Sequence, residues 1–448
     1  MCRKKGGIVV VGDVPLNIER KYFYEKELDL LISTSYGPGR YDEKYELKSY
    51  DYPYAYVRWT ENRNMKEYLS LLSKNKINVK DLIEEVYQVE EAPKAFESLR
   101  CVDNKPLVVL LEYNRDSLLK ERIVKTSYKI RQDKINVGVI GAGSFTREVH
   151  LPNFEKLNIY AICCKSGNNA KIFAKQFDAV YATTDYTEIL KDKNIDMVLI
   201  STRHNLHEKI AIDAANARKA IFLEKPMALN VKELSKLIDT LEKTKVPFTV
   251  GFKRRFSPFA LKIKEIINCR VNPIMVSYIM NAGFIPRDNW VHTEEGGGRN
   301  IGEACHIYDL FNYFTNCGVS TVKVTSINSK TEQYSSNDNF VATIKYKDGS
   351  VCNLIYTSLG SKSASKEKMK IYFDNKIIYL DDYKGLEFFG LKEKNMKANV
   401  QDKGHYNELK EFAKSIKENS NYAIPLWQLI QSTEISFEVE KQINEYEK

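Results

Sequence analysis

At 448 residues, with 43% apolar and 28% charged side chains, the chain has the composition of a globular protein long enough for about three domains. Its net charge of +9 comes from scattered lysines, which argues against a nucleic-acid track and suits an anionic substrate or cofactor. No run of about 18 apolar residues could span a membrane. The start lacks a signal-peptide h-region, and the eight cysteines show no C-x-x-C spacing, so a cytoplasmic protein without a disulfide framework or zinc site is expected.

Residues 1–113 open with GIVVVGDV (7–14), read as a buried strand. A polar, aromatic stretch follows. Helices are predicted at 65–74 and 80–87, a helix with Pro93 in its first turn at 90–99, and a strand at 106–112. This is a partial α/β segment, because one buried strand begins it with no earlier partner. Half of a doubly wound sheet leaves an edge and an apolar face to be covered. The charged stretch 114–133 reads as a linker, in part helical.

The second domain, 134–253, alternates strands (135–140, 158–163, 196–202, 220–223, 248–251) with helices (168–177, 207–217, 231–244). That alternation predicts a parallel sheet of the Rossmann type. From 254 to 448 the strands follow one another: 274–281, 322–328, 339–346, 350–357, 368–373 and 376–380. Asp348-Gly349 marks a hairpin turn. Helices are predicted at 300–314, 405–418 and 426–446. This is an α+β domain with a large, mainly antiparallel sheet, whose open face predicts a homo-oligomer.

The chemistry starts where 135–140 runs into Gly141-Ala142-Gly143. A strand, a glycine turn and a helix starting near Ser144 and Phe145 form the corner that holds a dinucleotide pyrophosphate. Thr146 replaces the third glycine of G-x-G-x-x-G. The acid usually found on the ribose about 20 residues later is missing, since 163–167 reads CCKSG. Lys165 and Ser166 can meet a 2′-phosphate instead, or Lys165 is a solvated surface residue, so NAD or NADP is expected. The stretch 201–209, STRHNLHEK, lies at a strand's carboxyl end. It makes Ser201, Thr202, Asn205 and His207 candidates for the cofactor side, with His207 alternatively a helix-start residue. Glu224-Lys225-Pro226 also follows a buried strand, and a lysine there can exchange a proton with a hydroxyl. In 296–309, GGGRNIGEACHIYD, His306 and Asp309 share a helix face, so the aspartate can orient an imidazole acting as base. No metal ligand set is expected.

Two resemblances follow. VGVIGAGSF, the S-T-x-x-N-x-H run, EKPMALN, GFKRRFSP and GGGRNIGEACHIYDL resemble the Gfo/Idh/MocA oxidoreductase family over about 134–448. GGIVVVGDVPL, ELDLLISTSYGPGRYD and VEEAPKAFESL resemble the last third of a medium-chain, zinc-type alcohol dehydrogenase, without its cofactor turn or zinc ligands. Together they resemble bi-domain oxidoreductases of bacterial surface-polysaccharide synthesis, with a dehydrogenase half encoded upstream as an expected partner. The Gfo/Idh/MocA resemblance implies hydride transfer between a sugar or nucleotide-sugar carbon and nicotinamide. Lys225 is then the acid/base lysine, His306 the substrate histidine and Glu224 a cofactor-side residue; Lys253, Arg254, Arg255 and Trp290 are candidate contacts for a sugar or its anionic carrier, with Trp290 alternatively a core residue. The family often carries aspartate four residues before the histidine. Here that position is Gly302, and Glu303 beside it can supply the carboxylate. Alternatives are an inactive cofactor-binding regulator or scaffold, or a cofactor-assisted glycosidase or epimerase.

Overall fold

The structure is a computed structural model that describes residues 2–34, 36–48, 51–101, 104–113, 123–126, 134–154, 157–331, 333–418 and 424–446. The chain forms two compact units, Met1–Lys120 and Glu121–Lys448.

The first unit holds two parallel strand pairs, β1 (Gly7–Val10) with β2 (Asp29–Ile32) and β3 (Ile83–Gln88) with β4 (Val108–Glu112). β3 falls where a helix is predicted at 80–87. Only a short turn at Lys80–Leu82 precedes it, and residues 83–88 alternate half-buried with exposed. Ile83, Val86 and Tyr87 carry branched or aromatic side chains that fit a pleated ribbon better than a helix. The helix Ala92–Ser98 takes Pro93 in its first turn and buries Ala95. Apolar burial is slight: Val9, Leu31 and Ile32 are 56%, 56% and 62% exposed. Parallel strands normally have both faces covered; among the described residues these apolar side chains stay exposed.

Most of the expected linker lies outside the described residues. Its described part includes β5 (Ile123–Lys125), neither helical nor free, which pairs antiparallel with the second unit's sheet. That sheet runs β11 (Phe248–Val250), β10 (Ala220–Leu223), β9 (Met197–Ile200), β6 (Ile135–Ile140), β7 (Leu157–Cys163), β8 (Tyr181–Thr183) and β5. All pairs but β5–β8 are parallel. β7, β8, β9, β10 and β11 are buried throughout, as strands covered on both faces must be. The order reverses at β6, between β7 and β9, which is where ligands bind in such sheets.

The second sheet has eight strands, from β12 (Met275–Asn281) to β19 (Met396–Lys397). With β13 (Val319–Ser326), β14 (Asn339–Tyr346), β15 (Val351–Thr357), β16 (Glu367–Phe373), β17 (Lys376–Asp381) and β18 (Gly385–Phe389), its order is β13-β14-β15-β12-β16-β17-β18-β19. Within it, β14 (Asn339–Tyr346) and β15 (Val351–Thr357) form the Asp-Gly hairpin, with Gly349 at φ +89°. The β12–β15 pair is parallel, so the sheet is mixed though mainly antiparallel. One face packs on the helices Cys305–Thr315 and Leu426–Tyr446, around Tyr278, Phe311, Phe314 and Leu354. On the other face, residues such as Met275 and Tyr372 stay 59% and 39% exposed.

Candidate active site

The glycine corner is built as its pattern requires. Gly141 has φ +94°, and a Cβ there would lie 2.8 Å from the Ser201 carbonyl carbon, so only glycine fits. Its N–H donates to Cys163 O at 2.9 Å, and its carbonyl accepts from Ser201 Oγ at 2.7 Å. Thr146 is buried, 2.6 Å from that hydroxyl, and so ties the following helical turn to the end of β9. That turn, Thr146–His150, is wide-wound; such turns recur at functional sites. At Gly143 no atom lies within 4 Å of a built Cβ. The backbone there is open to a ligand, and the first N–H groups of a helix have no carbonyl partners of their own.

This corner walls a groove of about 810 Å³, also lined by Ala142, Ser144, Phe145, Lys165, Ser201 and Thr202. Among the described residues, no carboxylate lines it. A dinucleotide's pyrophosphate would meet the corner, and its adenosine ribose would meet Lys165 and Ser166. Three predicted cofactor residues do not line the groove. His207 is fully buried, with its nitrogens 2.9 Å from Pro226 O and 3.2 Å from Thr202 O. It clamps the two loops that follow β9 and β10. Asn205 is exposed beside the groove, its N–H donating to Glu295 O. Glu224 is buried beneath, 2.6 Å from His150 Nε2. Burial would raise its pKa, but the His150 hydrogen bond and the charges of His150, Lys225 and Lys253 hold it down to about 2.

A cavity of about 290 Å³ adjoins the groove and shares Phe145 and Trp290 with it. Lys225, Lys253, Arg254, Glu303 and His306 line it. Lys225 Nζ donates to Gly302 O at 2.9 Å. His306 enters from the first turn of the helix Cys305–Thr315, just after a second wide turn at Asn300–Ala304. It is 4% exposed, and its Nδ1 has no partner among the described residues. Burial, then the charges of Arg254, Lys253 and Lys225, push its pKa well below the usual value. The ring is therefore neutral and keeps a lone pair that can accept a hydrogen bond.

Two expected carboxylate roles are not met. Asp309 is buried and grips Arg255, which reaches it through Nε at 2.9 Å and through Nη2. It is thus committed to an ion pair rather than to orienting His306. Arg255 is 2% exposed, donates onward to Gln428 and does not line the cavity, so it is a core ion-pair residue and not a substrate contact. The helix turns that guanidinium inward, a choice that spacing alone does not reveal. Glu303 does line the cavity, but its oxygens accept from Arg299 at 3.0 Å, Tyr356 at 2.6 Å and Lys366 at 2.8 Å. Burial would raise its pKa; Lys366 and Arg299 outweigh this and hold it at about 2. Glu303 is a fixed anion, not a proton carrier.

The cavity adds His204, Arg299, Lys366 and Lys403, which were not among the predicted site residues. His204 lies within the quoted STRHNLHEK, where a histidine next to the strand's end was the available signal. Lys366 and Lys403 precede a strand and a helix from distant parts of the chain, and no local pattern marks them. Among the described residues, six cations thus line the cavity against one carboxylate, Glu303. Lys253 Nζ stands 5.0 Å from the centre of the Phe145 ring. Burial, then the Arg254 charge, lowers its pKa to about 7.

A Rossmann sheet with its glycine corner at the switch point, opening on a cavity with a lysine and a neutral histidine, defines a nicotinamide-dinucleotide oxidoreductase. Family models agree. The oxidoreductase-family NAD-binding Rossmann fold matches residues 135–252, and the oxidoreductase-family C-terminal alpha/beta domain matches 261–436. The chain belongs to the Gfo/Idh/MocA oxidoreductase family. It is 28% identical over 226 residues to the uncharacterized oxidoreductase YrbE of Bacillus subtilis, across 49% of this chain and 65% of that one. To myo-inositol 2-dehydrogenase of Thermotoga maritima it is 30% identical over 136 residues, across 30% and 40% of the two chains. The match thus spans less than two thirds of either relative. The fold is shared with levoglucosan dehydrogenase in complex with NADH and levoglucosan (TM-score 0.61, 20% identity, 70% of this chain and 98% of that one). It is also shared with UDP-N-acetylglucosamine 3-dehydrogenase GnnA from Acidithiobacillus ferrooxidans (TM-score 0.60, 17% identity, 70% and 99%).

Proposed function

We propose that the chain moves a hydride between NAD(P) and a hydroxyl or carbonyl carbon of an anionic sugar or nucleotide sugar. The carrying observation is that the glycine-corner groove and the Lys225–His306 cavity meet at Phe145 and Trp290. When bound, the nicotinamide supplies the hydride acceptor or donor. The chain's own residues handle the proton: Lys225, held by Gly302 O, exchanges it with the hydroxyl oxygen, and neutral His306 hydrogen-bonds to that hydroxyl. The cationic wall suits a carboxylate or phosphate on the substrate, and Lys165 in the groove supports NADP beside NAD. The sugar-type substrates named for the relatives above support this class, and a cytoplasmic role in surface-polysaccharide synthesis fits the bi-domain resemblance. The first unit is then a partial medium-chain dehydrogenase domain, which an upstream dehydrogenase half would cover. The open face of the eight-stranded sheet would pack on a second copy.

Fluorescence titration with NADH and NADPH tests the cofactor half; binding of neither sinks the reading. On a panel of neutral, carboxylated and nucleotide-linked sugars, Lys225→Ala and His306→Ala each should cost about 10²-fold or more in kcat. Tight cofactor binding without turnover of any sugar would favour an inactive regulator instead. Among the described residues no carboxylate hydrogen-bonds to His306, and that observation favours this second reading.

A further inference from the structure

The space beside Gly302 is taken by a histidine from the other domain of the unit. A Cβ built on Gly302 would lie 2.9 Å from His204 Cε1 and 3.4 Å from its Nδ1. The imidazole therefore occupies the volume that any side chain at position 302 would fill. Gly302 is also the residue whose carbonyl holds Lys225 Nζ, at 2.9 Å. One residue thus links His204 to the acid/base lysine, and both groups line the cavity with His306.

The ring is held firmly. Nδ1 lies 2.7 Å from Gly296 O. A carbonyl only accepts, so Nδ1 carries the hydrogen. Trp290 meets the ring edge-on with centroids 4.9 Å apart, and the Arg203 guanidinium lies 4.2 Å from the centre of the Trp290 ring. Burial, then the Lys225 charge, lowers the histidine's pKa to about 3, so the ring is neutral at working pH. A neutral ring with hydrogen on Nδ1 keeps its lone pair on Nε2. No hydrogen bond from the described residues reaches Nε2, and it is not among their sealed, unpartnered atoms. The cavity wall is otherwise rich in donors, with the cations of Lys225, Lys253, Arg254, Arg299, Lys366 and Lys403. A sugar hydroxyl there needs an acceptor, and Glu303 already accepts from three partners.

We infer that His204 is a substrate-contacting residue, whose Nε2 accepts a hydrogen bond from a sugar hydroxyl and sets that hydroxyl against Lys225 and His306. This rests on the sugar oxidoreductase reading. Gly302 is then required not for backbone freedom but to leave the ring its place.

The test compares His204→Phe, which keeps a ring without donor or acceptor, with His204→Asn, which keeps both. NADH affinity, kcat and KM are measured for each on whichever sugar the wild type turns over. The expected result is a loss of about tenfold or more in kcat/KM for H204F, NADH affinity within about twofold of wild type, and substantial recovery in H204N. Gly302→Ala should lower kcat/KM in the wild type by displacing the ring, yet add little in a His204→Ala background, a coupling that a double-mutant cycle reads. Full kcat/KM in H204F, or equal losses in H204F and H204N, overturns the inference. A wild type that turns over no sugar refutes the underlying reading instead, so the two failures are told apart.

Discussion

Glu367 offers the sharpest energetic test of how the cavity wall is held. It is fully buried at the start of β16 (Glu367–Phe373). It accepts from Arg254 Nε at 2.7 Å, Arg254 Nη2 at 3.0 Å, Lys403 Nζ at 2.6 Å and the Tyr278 hydroxyl. Glu367→Gln keeps the shape but removes the charge, and it turns an amide donor towards groups that are already donors. Arg254, 3% exposed, then remains charged with no counter-ion. Breaking a buried pair in this way costs about 3–5 kcal/mol. In a domain of this size that corresponds to a fall in Tm on the order of 10 °C. Urea denaturation of both proteins, followed by tryptophan fluorescence, gives the difference directly. A loss under about 1 kcal/mol would refute the argument that Glu367 carries the neutralisation of this wall. The pH dependence supplies an independent check. Burial would raise the carboxyl's pKa, but the Arg254 and Lys403 charges and hydrogen bonds hold it below its ordinary value of 4.5. A depressed carboxyl stabilises the fold fully above its unfolded value, and that contribution fades as pH falls below it. The wild-type advantage over E367Q should therefore be constant near neutrality and shrink below about pH 4.5.

Gly141→Ala should weaken NADH binding at least about tenfold and lower stability, because φ +94° and a backbone contact at 2.8 Å leave no room for a methyl group; unchanged affinity by fluorescence titration would contradict the corner's assignment. Lys253, with its pKa lowered to about 7, is cationic below that pH and neutral above it. The KM for a carboxylated sugar should thus rise as pH climbs through about 7, and Lys253→Met should flatten that rise. A parallel rise in both proteins would remove Lys253 from substrate binding.

Much of the architecture was legible because it rests on local periodicity. The buried run at 135–140, the amphipathic helix Val231–Thr244 and the Asp-Gly hairpin all stand where pattern and turn chemistry put them. Where local signals were weak, the reading failed for physical reasons. Residues 83–88 became a strand because β4 offered a parallel partner, and the short strand Tyr181–Thr183 has too few residues to show a period. The parallel β12–β15 pair depends on a crossover that no local pattern encodes.

The site divides in the same way. Sequence alone placed Gly141, Lys225 and His306, because a glycine turn after a buried strand and residues at strand or helix ends keep their chemistry wherever the sheet puts them. Side-chain direction and long-range pairing were decided by the tertiary structure. Asp309, one turn from His306 along the helix, was drawn to Arg255, whose buried charge needed it more. Lys366 and Lys403 reached the cavity from distant elements, and His204 took the space that Gly302 leaves empty. Burial makes each of these choices, because a charge or lone pair removed from water goes to the partner that packing brings closest, and neighbours in sequence have no priority in that contest.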